Sequence, residues 1–577
     1  MSFTTVEKAI KKHLAVIYPS AALEDLTRQI AHSFGAGGQY RGGAKLNSPW
    51  SQKDVVLITY ADTLSDEGEK PLSCLEKFLT DVLEKEINTV HILPFFPFSS
   101  DDGFAVKDYR KVRSDLGGWS DITSIAKSFS LMSDVVINHI SSHHPWFYQF
   151  LENRKPGSEF IKTCASEKGL DEVIRPRSTP LLYSHKTLAG DKLVWCTFGP
   201  DQVDLDFSNP QVLLEFVNLI RFYIDMGVRL LRLDAIGFLW KRTGTSCLNL
   251  KETHEIVRLL RTLVDSIDER VLLVTETNVP SQENLEYFGN GDEAHIIYNF
   301  SLSPLILHAL LSGDSTFLKR WMMTTAPTSD NCTILNFTAS HDGIGLRPLE
   351  GILQKEDVSM MVELAKEFGG EVSTRDRNGV ETPYELNITF YDMLKGSFSG
   401  IDEYQMERFI ASQTIMMSVE GIPAFYIQSL FGSKNDSRRM RQTGQKRAIN
   451  RQQWNLRERQ KKLDDLSTEE SRIFRELKRR IKIRKDQLAF HPDATQFTLQ
   501  LPNYFFGFWR QSLCRKQSLF VILNLTPNTV DLDLSRLNLF QNSVWRELLS
   551  DKVIGHTDGV MSLNAYQTVW ISNGVSY

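Results

Sequence analysis

The chain has 577 residues, 41% of them hydrophobic and 24% charged, with 66 Lys and Arg against 71 Asp and Glu for a net charge of −5. At ~100–200 residues per domain this suggests two to four domains and enough apolar surface for a large core. The near balance of charge argues against a polyanion such as nucleic acid as the main partner and suits a small-molecule substrate.

Six cysteines, Cys74, Cys164, Cys196, Cys247, Cys332 and Cys514, are scattered without a C-x-x-C pair. That pattern argues against a zinc site or a disulfide framework and for reduced thiols in a cytoplasmic protein. The N-terminal segment carries a Glu and three Lys in a helical pattern and lacks the apolar core of a signal peptide. No apolar run approaches the ~20 residues needed to span a bilayer, so no membrane association is expected.

In chain order, residues 1–52 read as a helical N-terminal extension. Val6, Ile10, Leu14 and Ile17 form one apolar stripe, and Leu23, Leu26, Ile30 and Phe34 form another after Pro19. Gly35 to Gly43 reads as a linker. From Val55 the texture changes to short apolar runs rich in β-branched residues, separated by amphipathic stretches. They are VVLITY from Val55, TVHILPFF from Thr89, LMSDVVINH from Leu131, VRLLRLDAIG from Val228, VLLVTETN from Val271, HIIYNFSLS from His295, CTILNFTASHD from Cys332 and GIPAFYIQ from Gly421. Such runs suit parallel strands buried on both faces, and eight of them with helical spacers predict an α/β fold, a (β/α)8 TIM barrel over residues 53–488.

About 90 residues separate the third run from the fourth and about 80 the seventh from the eighth. These gaps predict insertions after strands 3 and 7, at about 140–210 and about 348–405. Ile473, Leu477 and Ile481 mark a closing helix, and the basic run KRRIKIRK beside them reads as its solvated face rather than a nucleic-acid patch. Residues 489–577 turn to short alternating segments (TQFTLQL, YFFGFWRQ, SLFVILNLT, VDLDL, TVWIS), which predict a C-terminal antiparallel β domain.

Sites on such barrels lie at the C-terminal ends of the strands. The polar residues there are Asp62, His91, Asp134, Asn138, His139, Arg232, Asp234, Glu276, His341 and Asp342. Asp234 follows Arg232 by two, so both side chains leave the strand on one face and the guanidinium can hold the carboxylate ionised. Glu276 ends the neighbouring run and suits a general acid. Retaining glycoside chemistry needs two carboxyl groups about 5–5.5 Å apart, which strands about 4.8 Å apart can supply.

DVVINH, RLLRLDAIG, VTETN and ASHD resemble, in order and spacing, the four signature regions of the α-amylase superfamily, glycoside hydrolase family 13. The resemblance implies a nucleophile at Asp234, a general acid/base at Glu276 and a transition-state stabiliser at Asp342, with Arg232 orienting Asp234 and His139 and His341 on the glucose ring. LITYAD, HILPFF, RPR, GTSC, HDGIG and AINR narrow it to the sucrose phosphorylase-like group, over about Asp54 to Arg451. There Asp62 and Arg451 would clamp the far edge of the glucose. His91, Phe198 and Gln202 would line the same subsite, and Arg177 would bind phosphate.

Three positions depart from sucrose phosphorylases proper: ETN where they have EVH, Tyr384-Glu385 where they have Tyr-Gln, and Phe238 where they have Tyr. With the N-terminal extension and VPSQENLEYFGNGDEAH, these look like the glucosylglycerate phosphorylase branch. The implied function is retaining transfer of an α-glucosyl group from 2-O-α-glucosylglycerate to phosphate. Sucrose or glucosylglycerol phosphorylase, or a hydrolase or transglucosidase with the same pair, are the alternatives, and a non-catalytic sugar-binding barrel is the rival of another class. Lys241, Arg375 and Arg377 are the candidate cations for an acceptor carboxylate, which Glu385 would oppose. No cofactor and no metal are expected; some amylase-type enzymes bind calcium near the residue matching Asn138, but no full oxygen cage is evident. The expected state is a monomer or homodimer.

Overall fold

A computed structural model of the chain describes residues 3–19, 21–35, 48–329, 331–377, 380–539, 544–555 and 558–574. The linker expected at Gly35 to Gly43 lies, beyond Gly35, outside the described residues, as does the side chain of Arg377.

All eight apolar runs become strands of one closed parallel barrel: β1 Val56–Thr59, β2 Thr89–Ile92, β3 Ser130–Val136, β4 Val228–Asp234, β5 Leu272–Thr275, β6 Ile296–Tyr298, β7 Thr333–Asn336 and β8 Ile422–Tyr426. Each strand pairs with its neighbours in sequence and β1 closes on β8. Every residue of β1, β2, β5, β6, β7 and β8 is buried, because helices cover the outside while side chains fill the inside.

The long connections carry their own small sheets. After β3, His139–Ser141 pairs with Gln202–Asp204, and Thr163–Cys164, Leu182–Thr187 and Gly190–Trp195 form a three-stranded sheet. After β7, Ile344–Gly345, Glu371–Arg377 and Val380–Asn387 form another three-stranded sheet, with the helix Lys355–Glu367 beside it.

Helix α1 (Phe3–Ile17) buries Val6, Ile10, Leu14 and Ile17. Helix α2 (Leu23–Ser33) buries Leu26 and Ile30, with Leu23 only partly covered. The two pack on the helices Lys251–Asp265 and Pro210–Asp225, which flank β4 in sequence. Polar contacts fix the register: His13 Nδ1 lies 2.8 Å from Glu255, and the Tyr18 hydroxyl donates to the Phe207 carbonyl at 2.9 Å. The extension thus braces the helices around the strand that bears Asp234.

The helix Glu469–Lys485 buries Ile473, Leu477 and Ile481. In its basic run Arg479 and Lys482 are exposed, as expected of a solvated face, but Arg484 is not. Arg484 is fully buried, donating to the carbonyls of Met417 at 2.6 Å, Gln52 at 2.5 Å and Phe490 at 3.3 Å. A guanidinium offers five donors, and here it satisfies carbonyls left over at chain ends beneath the barrel. Beyond it, a six-stranded antiparallel sheet runs from Thr495–Thr498 to Thr568–Asn573. It is anchored by Trp570, whose indole N–H donates to Ser418 Oγ at 3.0 Å.

Candidate active site

The strand registers place the charged residues. Arg232 stands level with Asp134 across β4 and β3, and Leu233 with Thr275 across β4 and β5. Asp234 and Glu276 therefore emerge side by side at the C-terminal end of the barrel. Arg232 Nη1 donates to Asp234 Oδ1 at 2.8 Å and also to Asp134, while its Nη2 is 3.9 Å from Glu276. Ala235, next after the strand, adopts a left-handed conformation (φ +52°), and its N–H meets Glu276 Oε2 at 3.1 Å.

The pocket above these groups is lined by Asp101, Phe104, His139, Arg177, Phe198, Gln202, Arg232, Asp234, Phe238, Glu276, Asn278, His341, Asp342, Arg347, Tyr384 and Arg447, among others. Its floor is aromatic as well as charged. His341 stacks on Phe104 with ring centres 4.8 Å apart, the Arg232 guanidinium lies 5.3 Å from the Tyr298 ring centre, and Arg177 lies 5.9 Å from that of Phe198. Rings that present flat apolar faces among hydrogen-bonding groups suit a sugar, whose CH faces are apolar and whose edge is polar.

Five of the expected residues do not line this pocket. Asp62 does not face this pocket: it is ion-paired with Arg113 at 2.7 Å and lines a neighbouring cavity. Arg451 lies between the two, donating to Asp102 at 2.6 Å and to the His341 carbonyl at 2.9 Å, so it supports the wall rather than lining it. His91 is buried behind Arg232, 2.8 Å from Asp134. Lys241 points inward, where it donates to Asn138 at 2.6 Å and pairs with Asp204 at 2.9 Å, and is unavailable to an acceptor. Glu385 is buried and held by Arg447, with Nε–Oε1 at 3.0 Å and Nη2–Oε2 at 2.6 Å.

Sequence reasoning missed Asp101, Asn278, Arg347 and Arg447. Asp101 accepts from Gln202 Nε2 at 3.2 Å and lines the pocket. Its signal was available, since SSDDG directly follows the second strand run and is a C-terminal loop of the barrel. Arg447 pairs with Asp342 at 2.6 Å as well as with Glu385. It lies in a short 3-10 turn, Lys446–Asn450, with no periodic pattern to mark it.

Electrostatics separates the carboxylates. Burial alone would raise Asp342, but Arg447, Arg232 and Arg451 outweigh it and hold the group well below the usual carboxylate range. Burial raises both Asp234 and Glu276, each opposed by Arg232 and pushed further by neighbouring carboxylates. Two such groups cannot both ionise freely, so a proton is retained between them. Arg232 donates to Asp234 at 2.8 Å but stands 3.9 Å from Glu276, so the guanidinium favours the ionised form of Asp234 more than that of Glu276. His341 is pushed down to about 3 by burial and is therefore a neutral imidazole at neutral pH.

A closed (β/α)8 barrel with a buried Arg-held carboxylate beside a protonatable one defines a class, the retaining glycoside-processing barrels. The catalytic domain of alpha amylase matches residues 79–342. The glucosylglycerate phosphorylase of Allomeiothermus silvanus is 42% identical over 500 residues, covering 86% of this chain and 89% of that one. The glucosylglycerate phosphorylase of Spirochaeta thermophila is 38% identical over 539 residues, covering 91% and 90%. Among solved structures, the sucrose 6F-phosphate phosphorylase of Thermoanaerobacter thermosaccharolyticum superposes with a TM-score of 0.72 at 23% identity, over 84% of this chain and 96% of that one. The chain belongs to the alpha-amylase family, in the sucrose phosphorylase-like group and alongside the glucosylglycerate phosphorylases.

Proposed function

We propose that the protein is a retaining glucosylglycerate phosphorylase, converting 2-O-α-glucosylglycerate and phosphate to α-D-glucose 1-phosphate and glycerate. The observation that supports this is the asymmetry around Arg232, 2.8 Å from Asp234 and 3.9 Å from Glu276, which favours an ionised Asp234 beside a protonated Glu276. In the first step Glu276 gives its proton to the glycosidic oxygen, the C1–O bond breaks, and a carboxylate oxygen of Asp234 bonds to C1 from the opposite face. Glycerate leaves. In the second step a phosphate oxygen attacks C1, its proton passes to Glu276, and the ester bond to Asp234 breaks. Two inversions give net retention. Asp342, kept ionised by Arg447, stabilises the positive charge that develops on the ring. Asp101, His139, Gln202 and His341 hold the glucose.

Arg177, on the first insertion, receives phosphate. A planar guanidinium matches a phosphate dianion in two parallel hydrogen bonds, and no ion pair engages Arg177 among the described residues. The acceptor reading is supported by the relatives named above and by the fate of Glu385. Its negative charge would oppose glycerate, but Arg447 neutralises it.

The reading is tested by incubating the protein with α-glucose 1-phosphate and glycerate, glycerol, fructose or water, and measuring released phosphate. Release that depends on glycerate is expected. Equal release with water alone would make the protein a hydrolase instead.

A further inference from the structure

The pocket holds four guanidinium groups besides the arginine of its wall, and two of them are already engaged. Arg232 is bonded to Asp134 and Asp234, and Arg447 to Asp342 and Glu385. Arg177 faces Phe198 from the first insertion. Arg347 belongs to the second insertion, in the turn Arg347–Leu349 that follows the strand Ile344–Gly345. It is 8% exposed, lines the pocket, and has no ion pair or side-chain hydrogen bond among the described residues; its buried Nε is unsatisfied. The nearby Arg375, a candidate cation for the acceptor, is spent on Glu350.

A buried cation without a paired carboxylate is expensive, and Tyr384, Glu283 and Glu350 offset the cost only in part. Burial, with Arg375 nearby, pulls the Arg347 pKa below its ordinary value. A charge retained under those conditions marks a place where a ligand supplies the missing anion. Asn278, which also lines the pocket, has a buried Oδ1 that likewise has no partner. Gly345 lets the strand pass close: a Cβ there would stand 3.0 Å from Asn278 Nδ2. A cation and an amide in the pocket that Glu276 also lines are complementary to a carboxylate and an adjacent hydroxyl.

We infer that Arg347 is the receptor for the carboxylate of the departing or incoming acceptor, with Asn278 bonding its free hydroxyl. The subsite therefore selects a small hydroxycarboxylate over a neutral polyol or ketose. This rests on the phosphorylase reading above and deepens it. It also divides the two anions of the reaction between two arginines on different insertions: phosphate on Arg177, carboxylate on Arg347.

The test compares glucosyl transfer from α-glucose 1-phosphate to glycerate, to glycerol and to glyceramide, for the wild type, Arg347→Gln and Arg347→Lys. Donor and released phosphate are the same in each arm, so the ratio between acceptors isolates the carboxylate. Arg347→Gln is expected to lower kcat/KM for glycerate on the order of a hundredfold, as loss of a charge-assisted pair does, and for glycerol and glyceramide by less than about tenfold. Arg347→Lys should restore part of the glycerate loss. A parallel fall on all three acceptors, or a rise confined to the KM for phosphate in phosphorolysis, would overturn the assignment. A wild type that prefers glycerol or water would instead overturn the phosphorylase reading on which it stands, before any variant is compared.

Discussion

At the scale of single residues, the site is a contest between burial and one guanidinium. Asp134, Asp234 and Glu276 all lie within 4 Å of Arg232 nitrogens, and Glu276 is the farthest of the three from it. Asp234→Ala should lower turnover by on the order of a thousandfold or more with the barrel still folded, because the carboxyl pair acts as a unit. Near-normal turnover in a pure preparation would remove Asp234 as nucleophile. Arg447→Met tests the other end. Asp342 is held ionised chiefly by Arg447, so without it the carboxyl takes up a proton at higher pH. The acidic limb of the pH–rate profile should move upward, and an unmoved limb would show that Arg447 does not tune Asp342. Arg232 and Asp234 were legible in the sequence because strand side chains alternate, so i and i+2 share a face. Arg447 and Arg347 were not, because short turns carry no period, and their importance comes from partners a hundred residues away or from having none.

At the scale of elements, all eight strands could be read as apolar runs, since a parallel barrel is buried on both faces of every strand. What the runs could not convey is which way a side chain turns beyond the strand end. Asp62 follows β1 by three residues yet turns to Arg113, whereas Asp101, nine residues beyond β2, reaches the pocket. The helical extension was legible from its stripe, and its docking on the two helices flanking β4 gives it a use. Ile10 in α1 is fully buried, so Ile10→Ala should cost about 2–5 kcal/mol in chemical denaturation. A loss under about 0.5 kcal/mol would mean that the extension is not part of the folded unit. In the first insertion, His144 caps the helix Pro145–Leu151, accepting from the Trp146 N–H at 3.1 Å. Burial pushes it down to about 4, with Asp108 pulling the other way. Its folded pKa is thus below its unfolded value near 6.5, so the unfolded chain binds the proton first. The native state loses stability as pH falls from about 6.5 to about 4, by up to about 1.4 kcal/mol per pH unit. His144→Asn keeps a capping acceptor but cannot titrate there, and its stability should decline less steeply over that window; identical slopes would contradict this.

At the scale of the whole molecule, the barrel, its two insertions and the bracing extension converge on one electrostatic arrangement. The barrel supplies the carboxyl pair and Arg232, the first insertion supplies Arg177, and the second supplies Arg347, Tyr384 and the Glu385 that Arg447 neutralises. On the proposed reading, substrate choice falls to the insertions and the bond-breaking chemistry to the ends of strands β4 and β5. The C-terminal sheet contributes no residue to the pocket lining and joins the barrel from outside through Trp570 and Arg510. The most direct test is phosphorolysis of 2-O-α-glucosylglycerate, sucrose and 2-O-α-glucosylglycerol at equal concentration, with the anomer of the glucose phosphate followed by NMR. The carboxyl pair and the unpaired guanidiniums predict α-D-glucose 1-phosphate as the first-formed product, with glucosylglycerate used fastest. A β-phosphate would contradict the double displacement, and sucrose used as well as glucosylglycerate would contradict the acceptor assignment.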